Sequence, residues 1–169
     1  MISRRRFIQA GLAGSALLAT VRWLDAHSAT PGLDDKATEI VRALVPVVLA
    51  GSLPAEPATR AKAIDETVEA YGRAVGGLAP AIQEEISEMF SFLSFAPTRI
   101  AMAGIGSPWR EASARDIEAF LQDWRMSRIE LKRAGYRAIT QLIQGAWFDN
   151  PLSWPAIAYP GPPALSPPA

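Results

Sequence analysis

Two groups of carboxylates are the residues of this 169-residue chain whose types and spacing could carry chemistry: Glu84, Glu85 and Glu88, and Asp65, Glu66 and Glu69. Acids four apart share one face of a helix. In a pocket such a pair could serve as general acid and base, or hold a metal ion. Glu84 and Glu88, however, fall opposite the apolar Ile82/Ile86 stripe, which predicts a solvated face; Asp65, Glu66 and Glu69 read the same way. The remaining catalytic inventory is thin. The chain has no cysteine and one histidine, His27. That removes Ser–His and Cys–His nucleophile pairs, most zinc sites, the Glu-x-x-His di-iron motif, disulfides, haem attachment and iron–sulfur ligation. Gly104-Ile105-Gly106 lacks the third glycine and the preceding strand of a phosphate-binding loop.

Binding chemistry is better represented. Arg125, Arg128, Lys132, Arg133 and Arg137 form a basic run that reads as a solvated face paired with Glu130, or as a docking face for an acidic partner. Trp109, Trp124, Trp147, Trp154 and Tyr159 are many large aromatics for a small domain, and most belong in a core. Trp154 and Tyr159 sit in a proline-rich end with little core around them, and aromatics are favoured at interface centres. The candidate partner contacts are Trp124, Arg128, Trp147, Trp154, Tyr159, Pro160 and Gly161.

The elements that must position these residues are helices. Asp34 and Asp35 can cap a helix carrying Ile40, Val41, Leu44, Val45, Val48 and Leu49 at helical spacing; Pro46 should kink that helix or end it near Val45. A second helix runs from about Thr59 to Val75 and ends at Gly76-Gly77, where glycine tolerates a left-handed cap. Pro80 opens a third, with Ile82, Ile86, Met89, Phe90 and Leu93 on one face and Phe92 and Phe95 beside it. A short apolar helix covers Thr98 to Ile105. Ser113-Ala114-Arg115-Asp116 resembles a capping box. The apolar pattern then runs through Ile117, Phe120, Leu121, Trp124, Ile129, Leu131, Tyr136, Ile139, Leu142, Ile143 and Trp147, as one long helix or two meeting near Gly135. Asp149-Asn150-Pro151 stops it, and the proline-rich tail from Trp154 reads as extended. No segment alternates as a strand. The expected fold is all-α: a compact bundle of about five to six helices.

Ahead of the bundle, Ser3-Arg4-Arg5-Arg6-Phe7-Ile8-Gln9 precedes an uncharged stretch rich in Gly and Ala, the order of an export signal of the twin-arginine kind. The signal residues are Ser3, Arg4, Arg5 and Phe7. Phe7 to Val21 is roughly 22 Å as a helix, short of a membrane span, and Arg22 interrupts it. His27 at the position two before Ala29 makes the cleavage site weak, so the signal could be removed or retained as an anchor. The expected organisation is a signal at 1–29, a helical domain at 30–155 and a proline-rich tail at 156–169. The whole chain is neutral; Arg4, Arg5, Arg6 and Arg22 against Asp25 put +3 in the signal and leave −3 on the rest. That argues against nucleic acid as a partner.

Twin-arginine export carries folded proteins, most often because a cofactor was inserted beforehand, yet no group in this chain is suited to holding one. A cofactor in a second chain resolves the mismatch. The order of features resembles the small subunit of bacterial flavin dehydrogenases: the third subunit of gluconate 2-dehydrogenase, the gamma subunit of FAD-dependent glucose dehydrogenase, and more closely the short twin-arginine companions of glucose–methanol–choline-type oxidoreductases. The resemblance rests on Ser3-Arg4-Arg5-Arg6-Phe7, Leu44-Val45-Pro46, Ala119-Phe120-Leu121-Gln122-Asp123-Trp124-Arg125-Met126-Ser127, Gly135-Tyr136-Arg137-Ala138-Ile139, and Trp154-Pro155-Ala156-Ile157-Ala158-Tyr159-Pro160-Gly161-Pro162. Ala158 stands where relatives carry glycine. The resemblance implies a periplasmic, non-catalytic subunit that folds with and escorts an FAD-containing catalytic subunit through the twin-arginine translocase, with a cytochrome c subunit in some members. It implies no catalytic, cofactor or metal residue in this chain. The alternatives are a free-standing periplasmic binding module and a carboxylate-dependent enzyme.

Overall fold

A computed structural model describes residues 32–161. The expectations placed on Ser3, Arg4, Arg5, Phe7 and the rest of 1–31, and on 162–169, lie outside them. The described residues form six α-helices and two 3-10 turns without strands, an all-α fold. The helices are α1 (Asp35–Val48), α2 (Pro57–Gly76), α3 (Pro80–Ser94), α4 (Ala96–Ala103), α5 (Ala114–Met126) and α6 (Glu130–Phe148). The 3-10 turns cover Trp109–Glu111 and Pro151–Ile157.

α1 is the axis of the bundle. It packs against α2, α3, α5, α6 and the first 3-10 turn, and Ile40, Val41, Leu44 and Val45 are wholly excluded from solvent. It starts where Asp34 accepts the Ala37 N–H at 2.6 Å, satisfying one of the donors a helix start leaves open. Of the two expectations at Pro46, a kink or a stop near Val45, the stop does not occur: the helix runs through Pro46 to Val48. Proline removes one hydrogen bond and crowds the preceding turn, at a cost of about 3 kcal/mol. Buried Leu44 and Val45 before it and Leu49 after it hold the helical path, and Leu49 N–H still reaches the Val45 carbonyl at 3.0 Å.

α2 ends at Gly76 with Gly77 as its cap, the expected place, but not in the expected conformation. Gly77 is right-handed, with φ −84°, so no left-handed glycine closes this helix. Gln83 supplies the closure instead, its amide donating to the carbonyls of Gly76 at 3.1 Å and Leu78 at 2.8 Å. A side chain from the next helix thus caps carbonyls that a helix end leaves open. The start of α2 is held by Glu56, which accepts from Ala58 and Thr59 N–H.

The pattern from Ile117 to Trp147 is two helices, but they do not meet at Gly135. They part at Ser127, which is extended at ψ 145°, and Ile129, extended at ψ 117°. Arg133 donates to the Ser127 carbonyl at 2.6 Å and Ile129 N–H donates to the Ser127 hydroxyl at 3.1 Å, fixing the turn. The predicted cap at Ser113 is present, accepting the Asp116 N–H at 3.1 Å.

One core side chain is imperfectly accommodated. The Tyr71 ring is buried and meets Phe90 edge-on with centroids 6.3 Å apart. Its hydroxyl has no hydrogen-bond partner among the described residues, and burial pushes the phenol pKa up. An orphaned buried hydroxyl destabilises by about 1–3 kcal/mol. Tyr71→Phe is therefore expected to raise the stability of the chain by about 1 kcal/mol, read as a higher urea midpoint at unchanged slope; a lower midpoint would contradict this.

Candidate partner-binding surface

The two carboxylate groups face solvent. Glu84, Glu85 and Glu88 lie on the exposed face of α3. Asp65 pairs with Arg42, Glu66 with Lys62, and Glu69 with Arg73, all at the surface. Among the described residues no group of three or more His, Cys, Asp or Glu could hold a metal ion, and no helix is long and apolar enough to cross a membrane.

Of the expected partner contacts, Trp124 and Trp147 are interior side chains, 4% and 1% exposed. Trp147 completes the α6 stripe of Ile139 and Ile143. Trp124 closes an aromatic stack: Trp109 meets Phe120 at 5.7 Å and Phe120 meets Trp124 at 4.8 Å, both edge-on. Its indole N–H donates to the Met102 carbonyl at 2.8 Å. Neither side chain is available at a surface. Burial of a large ring on the helix's core-facing stripe overrides its usefulness as an anchor.

The proline-rich end is folded onto itself rather than extended at Trp154. Asn150 starts the second 3-10 turn, which runs across the expected 155/156 domain boundary. The Asn150 amide donates to Glu66 of α2 at 2.8 Å, and its side-chain oxygen accepts the Leu152 N–H at 2.9 Å. Trp154 then donates to the Phe148 carbonyl at 3.2 Å and meets Tyr159 edge-on at 5.4 Å. Gly161, at φ +97°, lies so close over the Trp154 ring that a Cβ there would stand 2.9 Å from Cζ3. Tyr159 remains 44% exposed and Pro160 is exposed, so this clasp presents an aromatic and proline surface to solvent.

The turn from the 3-10 segment to Tyr159 needs a left-handed residue, and Ala158 fills it at φ 52°. A Cβ is disfavoured in that conformation. Ala158→Gly relieves the strain while loosening the unfolded chain, for a net local gain of about 0.5 kcal/mol. The expected result is slower amide exchange at Tyr159 with the rest of the domain unchanged; faster exchange there would contradict the strain argument.

A second surface was missed in the sequence. Ile129 and Leu131 read as a continuation of the buried stripe, but they are 57% and 73% exposed, and Met126 beside them is 75% exposed. They bracket the turn between α5 and α6: Met126 ends α5, Ile129 lies in the turn and Leu131 is in the first turn of α6. The Met102–Trp124 hydrogen bond ties this end of α5 to α4, where Ile100 is also exposed, next to Phe95 and Phe92 at the α3–α4 corner. That corner is pinned from several sides. Trp109 donates to the Leu93 carbonyl at 2.8 Å, buried Arg99 donates to the Ile105 carbonyl at 3.2 Å, and Thr98 donates to the Phe92 carbonyl. The signal in the sequence was the spacing of Ile129, Leu131 and Tyr136, steps of 2 and 5 that break the helical period.

Arg128 stands exposed on this turn, as does Arg125. Glu130 pairs with Arg133 and Arg137. Their hydrogen bonds, that of Arg137 first, hold the Glu130 carboxyl below its ordinary value of 4.5. A depressed folded value means the stabilisation is present above the unfolded pKa and is lost as pH falls through the folded one. The first turn of α6 is thus expected to loosen only below the ordinary glutamate range, with amide exchange around Glu130 accelerating on acidification; loosening that begins at neutral pH would contradict the pairing.

No family model, no curated protein and no solved structure matches the chain.

Proposed function

We propose that this chain is a non-catalytic accessory subunit that folds with a flavin-containing sugar or alcohol dehydrogenase, escorts it through the twin-arginine route and stays with it in the periplasm. The observation that carries the reading is the apolar surface left over once the core is complete. Eleven large hydrophobic side chains are exposed among the described residues, from Ile82, Phe92 and Phe95 to Phe148, Ile157 and Tyr159. Scattered apolar residues are normal on a surface. Here all but Ile82 fall at the α3–α4 corner, the α5–α6 turn or the C-terminal clasp, the pattern of a subunit that covers these places with a partner. The arginine-led stretch before the bundle supports export, and the cofactor that export of folded proteins usually serves is assigned to the partner as FAD. A cytochrome c subunit that accepts the electrons is a further partner in this scheme.

The test is purification of the full-length chain, tagged at the chromosome, from its own bacterium. The expected result is a stable complex with visible flavin absorbance and dehydrogenase activity. A monomer recovered without flavin, in full yield and well behaved alone, would overturn the reading in favour of a free-standing module.

A further inference from the structure

We propose that the α5–α6 turn is the specificity element of the interface, and that it inserts Met126, Ile129 and Leu131 into an apolar groove rimmed by carboxylates on a protein partner. The inference rests on the accessory-subunit reading only in supposing a protein partner. Three observations place the weight here. The first is exposure: these three side chains are more open to solvent than any other large hydrophobic among the described residues.

The second is charge. The acids of this corner are already engaged, Glu130 by Arg133 and Arg137, and Asp123 by Lys132 at 2.8 Å. Arg125 and Arg128 have no ion pair among the described residues. The corner is therefore basic on a chain whose part beyond the signal is acidic overall. Two free guanidinium groups flank the apolar tip, and that group pairs a carboxylate through two parallel hydrogen bonds.

The third is rigidity. Ser127 is held by Arg133 and by Ile129 N–H, and α5 is held to α4 through Trp124. A turn fixed in advance loses little entropy on docking.

The same observations select among occupants. In a two-fold pairing of this turn with itself, Arg125 and Arg128 of both copies would converge, an unfavourable like-charge contact. A lipid surface fits less well than a protein. The tip carries none of the Trp or Tyr that settle at membrane interfaces, and sinking Leu131 would take the neighbouring Glu130 cluster with it.

The experiment uses the full-length chain in its own bacterium with a photo-crosslinking residue at Leu131, and at Glu85 as a control. It adds two variants, Arg125→Glu with Arg128→Glu, and Met126→Ser with Leu131→Ser. All four positions are exposed, so the helical circular dichroism should not change. Expected are adducts from Leu131 on a partner peptide that contains Asp or Glu, about tenfold lower recovery of the partner with either variant, and restored recovery when the partner's acids are changed to Lys against the arginine-reversed chain. Unchanged recovery of the flavoprotein with both variants overturns the docking inference and leaves the accessory reading intact. A rescuable, charge-dependent adduct with a protein that holds no flavin keeps the docking inference and removes the flavoprotein reading. Flotation with vesicles of phosphatidylethanolamine and phosphatidylglycerol that depends on Met126 and Leu131, without a protein adduct, overturns it in favour of a membrane.

Discussion

Trp147→Ala is expected to lower the stability of the chain by about 3–5 kcal/mol, the range for deleting a fully buried large aromatic. The side chain is 1% exposed and follows Ile139 and Ile143, both wholly buried, along the face of α6. α6 packs along α2 and α5 and also touches α1, and Trp147 belongs to the shared core, so the hole would open inside the bundle. With total stabilities of about 5–15 kcal/mol, such a loss leaves a marginal fold. Urea unfolding followed by circular dichroism measures it directly. The result also decides between roles for this tryptophan. An interface anchor would leave the urea midpoint in place and weaken only partner binding. A core residue moves the midpoint first. A midpoint shifted by less than the equivalent of about 1 kcal/mol would contradict its placement in the core.

Gly135→Ala is expected to cost about 2–3 kcal/mol, although alanine is the better helix former by about 1 kcal/mol. Gly135 lies in the second turn of α6, flush against α5. A Cβ placed there would stand 2.4 Å from Cζ3 of Trp124 and 3.0 Å from its Cε3, with the Met89 sulfur at 3.3 Å. Met89 is flexible and can yield. Trp124 cannot: its indole is tied to the Met102 carbonyl and packed edge-on against Phe120. The added methyl therefore pushes α6 off α5 or breaks that hydrogen bond. The control is a double-mutant cycle with Trp124→Phe, whose smaller ring leaves room for the methyl. The clash predicts that Gly135→Ala costs clearly less in the Trp124→Phe background than in the parent. Equal cost in both backgrounds, or a stabilised single variant, would refute the close approach.

These two positions also show what was legible in the sequence. Periodicity placed the α1 stripe and the Ile117–Trp124 face correctly, because a helix in a small bundle must bury one side. Asp34 and Ser113 were legible as caps because the open donors at a helix start need a nearby side-chain oxygen. What misled was local chemistry read without its neighbours. Pro46 is tolerated because buried residues on both sides hold the helix. Gly77 needs no left-handed turn because Gln83 caps the carbonyls from the next helix. Gly135 marks either a meeting point of two helices or the interior of one, since glycine weakens a helix; inside α6 it lets α5 and α6 touch.

The candidate surface was legible only in part. Tyr159, Pro160 and Arg128 are at the surface, Trp154 is half-buried in the clasp, and Gly161 serves as the space over its ring. Trp124 and Trp147 were assigned as anchors although each sat on a helical apolar stripe that already pointed inward. Met126, Ile129 and Leu131 were missed because apolar residues after a buried stripe look like more of it. The Ser127–Ile129 break turns them outward, and the broken period from Ile129 to Tyr136 is its trace in the sequence.

The proposed escort of a flavoprotein across the membrane is decided by comparing the native arginine pair with Arg4→Lys plus Arg5→Lys in cells making both proteins. Periplasmic flavin and dehydrogenase activity are read in each, with the folded complex assayed in the cytoplasm. Expected is active flavoprotein in the periplasm with the native pair, and its retention in the cytoplasm, still bound to this chain, with the lysine pair. Equal periplasmic flavin and activity with both signals would contradict it.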